Sequence, residues 1–290
     1  EKYKESKIGK IIKYSLEGGK CIRGFLVKHI MQTLSKKENV CWQPVVSIEI
    51  LHAASLIIDD LPCMDNSEIR RKKKATFVEF GERESILTSF YMVSSSLKLL
   101  LEVFKEINES LDKQKDLMFK LVSEWNELVG ENLVVGQLLD LNENIQKLLN
   151  LDKCVKNNTE IIIIYKTSSL FILSFLLGAI YSGVTDLDYE KFKEMGLNFG
   201  IMFQIMDDFC DIEEDKEKNN YNFVQSNGKL KSLKLYIEKK QSMVLLLKIC
   251  NVYTEEMKYL ISKIDDKLIN KLNSYKDNKY NNLINYLKLI

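Results

Sequence analysis

Along most of the chain, apolar residues recur at spacings of three and four, the mark of amphipathic helices. The pattern predicts helices near residues 4–17, 22–35, 43–58, 83–105, 112–142, 151–181, 189–213, 229–249, 254–271 and 278–289. Breaks fall at Gly18-Gly19, the polar run Ser35–Asn39, Leu61-Pro62, Ser182-Gly183 and the stretch Asn219–Gly228, all rich in residues that end or turn helices. One segment, Ile161–Tyr181, is apolar enough to suggest a membrane span. Lys166-Thr167-Ser168-Ser169 interrupts it, and the remainder is short for a bilayer. A buried core helix, with no transmembrane segment, is the expectation. No repeat and no shift in composition divides the chain, so a single all-α domain spanning residues 1–290 is predicted.

Two of the predicted helices end in carboxylates. Asp59, Asp60 and Asp65 follow the apolar run from Ala53 to Ile58, and Asp207, Asp208 and Asp211 follow the run from Ile201 to Met206. A solvated acidic face would be interleaved with lysines, but these aspartates are preceded by core. Asp207 and Asp211 are four apart, so both project from one helix face. Like charges at that spacing repel, and burial adds a desolvation cost unless a cation binds. Oxygen ligands without imidazole or thiolate suit Mg²⁺, which commonly takes one or two carboxylates together with substrate phosphate oxygens.

Cations stand where such a phosphate would need them. Gly18-Gly19-Lys20 and Arg23 place two positive charges at a glycine turn entering a helix, whose N-terminus also favours anions. Arg70-Arg71 follow the first aspartates, and Lys166 interrupts an apolar run where an unpartnered lysine is costly. Lys72, Lys73 and Lys74 read as a solvated loop, and His52 taken alone reads as a satisfied core histidine. Carboxylates, magnesium and converging cations point to chemistry on a diphosphate. A Gly-x-x-x-x-Gly-Lys loop is missing, which argues against a nucleoside triphosphatase.

Composition narrows the picture further. The chain has 290 residues, two prolines and 12 glycines, few breakers for its length, which favours long helices over a sheet. A formal net charge of +1 gives no global field for nucleic acid. Six isolated cysteines and two histidines argue against a zinc site and a disulfide framework, and fit a reducing intracellular compartment.

With these motifs in hand, the chain resembles the trans-prenyltransferases, in particular the farnesyl and geranylgeranyl diphosphate synthases of bacterial and plant plastid type. The resemblance rests on Gly18–Arg23, on Asp59-Asp60-Leu61-Pro62-Cys63-Met64-Asp65-Asn66 followed by Arg70-Arg71, on Gly136-Gln137 with Asp140-Leu141, on Lys166-Thr167, and on Phe203–Asp208 with Asp211. It runs from about Gly18 to Lys229. It implies an antiparallel helical bundle of the isoprenoid synthase type around a central cavity, usually a homodimer. Three Mg²⁺ ions would be held by Asp59, Asp60, Asp65, Asp207, Asp208 and Asp211. Arg70, Lys166, Thr167, Gln204 and Lys229 would assist with the allylic diphosphate. Isopentenyl diphosphate would sit on Lys20, Arg23, His52 and Arg71. The implied reaction condenses isopentenyl diphosphate with dimethylallyl, geranyl or farnesyl diphosphate, and the plastid-like first motif suggests an organelle as an alternative to the cytoplasm.

Departures from the family pattern are Cys21 for an arginine, Lys72 for a glycine, Ala75-Thr76-Phe77 for the usual proline, threonine and histidine, Phe90 for an aspartate, and Asn220-Tyr221 for a Gly-Lys pair. They keep a non-catalytic regulatory subunit in view as a rival. A class I terpene cyclase is a weaker one, because Asp207-Asp208-x-x-Asp211 with Lys20 and Arg23 does not suit it. Small residues before the first motif, Ala54 and Ser55, with Leu51 below as a floor aided by residues near Phe90 and Ser94, lead us to expect a product of geranylgeranyl length or longer.

Overall fold

The computed structural model describes residues 5–104, 110–141, 158–183, 186–218 and 221–290. The chain forms two compact units, Glu1–Asn126 with Ile180–Ser182, and Glu127–Ala179 with Gly183–Ile290. Among the described residues the only strands are a two-residue pair; all other regular structure is helical.

In the first unit, α1 (Lys7–Leu16) starts at Ser6, whose hydroxyl accepts the Gly9 N–H at 3.2 Å. Helix α2 (Ile22–Ser35) follows the glycine turn, and α3 (Gln43–Asp59) opens with Pro44 in its first turn, where a missing N–H costs nothing. After a turn come β1 (Ile69–Arg70) and β2 (Lys73–Lys74), then α4 (Thr76–Phe80), α5 (Glu82–Val103) and α6 (Leu111–Trp125). The principal packing is α3 on α5. Ala53, Ala54 and Ile57 of α3 enclose Met92 of α5, while Ile48 and Leu51 are also buried; burying each large aliphatic side chain contributes roughly 1.5–3 kcal/mol. Small residues let the two helices approach, and the seam serines are satisfied. Ser47 donates to Ser96 O at 2.8 Å, and Ser89 donates to Ala54 O at 2.9 Å.

The second unit begins in a π-helical turn, Asn126–Asn132, that passes into α7 (Leu133–Leu141). A continuous helix is then built from α8 (Asn158–Ile162), a second π-helical turn (Ile163–Ser168) and α9 (Ser169–Ile180). Within the described residues the helix predicted here runs on through Lys166-Thr167, the polar break in its apolar run, which is accommodated as a wide turn. The 33-residue α10 (Asp186–Lys218) is the hub. Phe199 and Phe203 of α10 pack against Phe171 with ring centroids 4.9 and 5.2 Å apart. Glu160–Ile180 is long and apolar enough to cross a bilayer, yet it is largely buried within the protein. Helices α11 (Phe223–Asn227), α12 (Lys229–Ile249), α13 (Glu255–Ser274) and α14 (Asn281–Leu287) complete the unit. A buried Lys240 ties three of them together. Its ammonium pairs with Asp265 at 2.8 Å and donates to Leu287 O at 2.8 Å, while Tyr236 donates to the other Asp265 oxygen at 2.7 Å.

Candidate active site

The residues singled out by sequence fall into two groups, one in each unit. In the first unit the chain folds sharply after α3. The Asp65 N–H donates to Asp59 O at 2.9 Å, and the Ser67 N–H to Asp60 O at 3.1 Å, so Asp65 is brought back to the helix end that carries Asp59. The β1–β2 hairpin then turns through Arg71 and Lys72, whose φ angles are 53° and 63°. Two successive left-handed residues match the twist of the strands. The turn divides the arginine pair. Arg70 lies among the carboxylates of Asp59, Asp60 and Asp65, which hold its pKa up against burial. Arg71 reaches the C-terminus of α1, where its guanidinium donates to Ser15 O at 2.8 Å and lies against Gly19.

This changes the expected role of one aspartate. Asp60 is 1% exposed, and Arg70 donates to its Oδ1 through Nε, at 2.8 Å, and through Nη2. Burial raises the Asp60 pKa, against the pull of Arg70. Asp60 and Arg70, expected as a metal ligand and a substrate contact, are thus engaged with each other, and Asp59 and Asp65 are the more exposed carboxylates. His52 sits on the α3 face that meets the arginines. Its Nδ1 is buried without a hydrogen-bond partner, and burial, then Arg23, Arg71 and Arg70, hold its pKa well below the usual value. The imidazole is neutral.

At the glycine turn, one first-turn N–H of α2 already has a partner within the protein. The Gly24 N–H at the start of α2 is not open to a phosphate, because it donates to Glu49 Oε1 at 2.6 Å. Glu49 was missed by sequence reasoning; it interrupts the apolar pattern of α3 and looks like an ordinary surface charge. Lys20 is exposed, whereas the Arg23 Nε is buried. Ala54, expected in the wall of the tail cavity, packs in a close helix–helix contact. It is fully enclosed in the α3–α5 seam, while Ser55 is partly exposed, and Phe90 and Ser94 point outward on α5.

The second group is held by close backbone approach. A Cβ on Gly136 of α7 would stand 2.3 Å from the Lys166 backbone nitrogen, and one on Gly200 of α10 would stand 2.6 Å from Ser168 Cα. Only glycines allow α7 and α10 to press on the π-helical turn from two sides. Lys166 finds the partner its burial demands in Asp140 of α7. Thr167 donates to Gln204 Oε1 at 2.6 Å, and Gln204 Nε2 donates to Asp208 Oδ1 at 2.7 Å. The Phe223 N–H closes the line by donating to Asp208 Oδ2 at 2.7 Å. Asp208, 4% exposed, has both oxygens occupied, and burial first pushes its pKa up to about 7. Asp208, expected from sequence as a metal ligand, is thus hydrogen-bonded to Gln204 and to the Phe223 N–H. Asn222, also missed, donates to Asp208 O at 2.9 Å and to Asp215 at 2.8 Å. Lys229, expected near the diphosphate, lies over the ring of Tyr275, 3.5 Å from its centroid.

Asp207 and Asp211 stand one helical turn apart on α10. Burial, then Asp207, Asp215 and Glu214, raises the Asp211 pKa to about 6, so negative charge is concentrated on this face. Among the described residues no three carboxylates, imidazoles or thiols converge closely enough to hold an ion alone.

Residues 5–249 match the family model described as polyprenyl synthetase. The chain belongs to this family. Geranylgeranyl pyrophosphate synthase 6, mitochondrial, of Arabidopsis thaliana is 33% identical over 213 residues, 73% of this chain and 62% of that protein. Geranylgeranyl pyrophosphate synthase 3, chloroplastic, of the same plant is 31% identical over 209 residues, 71% of this chain and 56% of that protein. The matches span little more than half the length of these relatives. Among solved structures, a geranyltransferase from Legionella pneumophila superposes with a TM-score of 0.73 at 24% identity, covering 93% of this chain and 88% of that one. A geranyltranstransferase from Thermotoga maritima gives 0.71 at 24%, covering 90% and 91%. The all-α fold of this chain is the fold of those proteins.

Proposed function

We propose that this polyprenyl synthetase condenses isopentenyl diphosphate with an allylic diphosphate to give geranylgeranyl diphosphate or a longer homologue. The observation that carries the reading is the division of Arg70 from Arg71. One hairpin turn sends one guanidinium to the Asp59, Asp60 and Asp65 carboxylates and the other to the glycine turn beside His52. Neighbouring residues thus stand at two differently built places, one among carboxylates and one among cations, which supports a reaction that joins two diphosphates, one held through a cation and one held directly.

Lys20, Arg23, His52 and Arg71 would bind the diphosphate of isopentenyl diphosphate. The neutral imidazole contributes a donor without adding another buried charge. Asp59, Asp65, Asp207 and Asp211 would hold Mg²⁺ for the allylic diphosphate, three ions by family resemblance. Bound magnesium supplies positive charge to the departing diphosphate. The Thr167 hydroxyl and Gln204 amide, fixed by Asp208, would line the place where the allylic carbon–oxygen bond breaks. The alkene of isopentenyl diphosphate attacks that carbon, and its lost proton leaves with the released diphosphate, so no side-chain base is needed. A homodimer belongs to this reading; the exposed Leu87 and Phe90 of α5 and Phe119 of α6 offer apolar surface for a second copy. Among the described residues, free cysteines at 21, 63, 210 and 250 suit a reducing compartment. The relatives' names, mitochondrial and chloroplastic, support an organelle.

The test is incorporation of radiolabelled isopentenyl diphosphate by the purified protein with Mg²⁺ and each allylic starter, resolved by product length. Labelled products of geranylgeranyl length or longer are expected. Asp59→Ala and Asp207→Ala should each lower turnover on the order of a thousandfold, about 4 kcal/mol of transition-state stabilisation. No incorporation with any starter would favour a regulatory subunit instead. For chain length, Ser55→Phe should shorten the products. Ala54→Phe must also force the enclosed seam apart at about 1–3 kcal/mol, visible as a lower Tm.

A further inference from the structure

Helix α2 begins in an unusual way. Cys21, its N-cap, has φ 50° and ψ 34° and makes no side-chain capping bond, so the first-turn N–H groups lack the local acceptor that most helices provide. The acceptor comes from another helix. Glu49 of α3 takes the Gly24 N–H at 2.6 Å. The fit is close, for a Cβ on Gly24 would stand 3.1 Å from Glu49 Cγ and 3.2 Å from its Oε1. The same carboxylate acts on Arg23, whose pKa is drawn down to about 10 by burial and supported by Glu49. Glu49 and His52 are three apart and share a face of α3, and His52 feels Arg23, Arg71 and Arg70 together. One carboxylate therefore caps the start of α2 and acts electrostatically on its buried arginine, next to the imidazole that feels three guanidinium groups.

We propose that Glu49 is a positioning residue for the diphosphate of isopentenyl diphosphate, an assignment that rests on the function proposed above. It holds the first turn of α2 against α3 so that Arg23 is presented, charged and fixed, beside His52 and Arg71. Its own charge faces the Gly24 N–H, which keeps it from repelling the substrate. The glycine at position 24 follows from the same contact, because a side chain there would push the carboxylate away.

Glu49→Ala and Glu49→Gln separate the roles. Glu49→Ala removes both the acceptor and the charge, and should raise the KM for isopentenyl diphosphate about tenfold, equivalent to about 1.4 kcal/mol. The allylic KM and kcat should stay within about twofold. Glu49→Gln still accepts the Gly24 N–H and should recover most of the loss, to within about threefold of the original KM. A purely structural role would instead lower Tm and kcat together and leave the isopentenyl KM unchanged, and that outcome overturns the proposal. Calorimetric titration with isopentenyl diphosphate, without an allylic partner, makes the test independent of turnover. If the natural sequence binds it and Glu49→Ala binds about tenfold more weakly, the assignment stands even should condensation fail. Equal affinities, or no binding by the natural sequence, defeat it.

Discussion

The two groups of candidate residues are held in contrasting ways. In the first unit, charges are placed by side chains that reach across turns. Arg71 grips the carbonyls ending α1, Glu49 grips the start of α2, and Arg70 grips Asp60. In the second unit the functional turn is fixed by backbone lying on backbone at Gly136 and Gly200, and side chains only complete the arrangement. The two aspartate motifs look alike, yet the second aspartate of each is neutralised differently. Asp60 has a guanidinium, whereas Asp208 has an amide and a backbone N–H. A motif thus records which residues are needed without recording how they are held. A site tied by side chains can adjust when one tie is altered, but a site clamped by backbone cannot.

The largest expected consequence lies in the clamp. Gly136→Ala should destabilise the protein by about 3 kcal/mol, since a Cβ 2.3 Å from the Lys166 nitrogen forces helices apart in a packed interior. Gly19→Ala meets only the tip of Arg71 at 3.3 Å and should cost below about 1 kcal/mol. Denaturant unfolding of both variants measures the contrast; equal losses would break it.

A smaller effect is expected from His52. Its pKa in the folded protein is held below the value of an unfolded chain by burial and by Arg23, Arg71 and Arg70. Below about pH 6.5 the unfolded chain takes up a proton that the native imidazole refuses, so stability falls as pH falls. Between pH 6.5 and 5.5 the loss should be about 1 kcal/mol, and His52→Asn should lose less over the same interval. An unchanged slope would remove His52 from the cation cluster.

The smallest effect concerns Lys72. At φ 63° a lysine carries a left-handed penalty of roughly 1–2 kcal/mol that glycine avoids. Glycine's greater freedom in the unfolded chain offsets part of this. Lys72→Gly should therefore stabilise the hairpin by about 0.5 kcal/mol, read as a small rise in Tm. A fall would show that the turn depends on the lysine side chain.

Much of this was legible in the sequence, and the reasons differ by residue. The bounds of α2 and α12 follow directly from apolar spacing and flanking glycines, and match the predicted 22–35 and 229–249. The β1–β2 hairpin was not anticipated, because Arg71-Lys72 carries none of the Asn-Gly or Gly signals that mark such turns. Helices α4 and α11, five residues each, are too short for periodicity to register. Residue 142 of the predicted helix 112–142 and residues 151–157 of the predicted helix 151–181 lie outside the described residues. Residue types at fixed spacing revealed the aspartates and cations. Spacing could not show that Asp60 is consumed by Arg70, that Lys229 rests on Tyr275, or that Ala54 is enclosed, since each depends on a partner distant in the chain.

The π-helical turn at Ile163–Ser168 has a consequence for how this gene can change. Lys166 and Thr167 face Asp140 and Gln204 only because of where that wide turn falls along the helix. Loss of a single codon between the turn's start and Thr167 would swing both side chains through about 100° around the axis. Neither would then meet its partner, although composition, charge and hydrophobicity would barely alter. Substitutions in Ile161–Ile164 can be absorbed one apolar residue at a time, but insertions and deletions there cannot, so the length of this segment is under tighter constraint than its spelling.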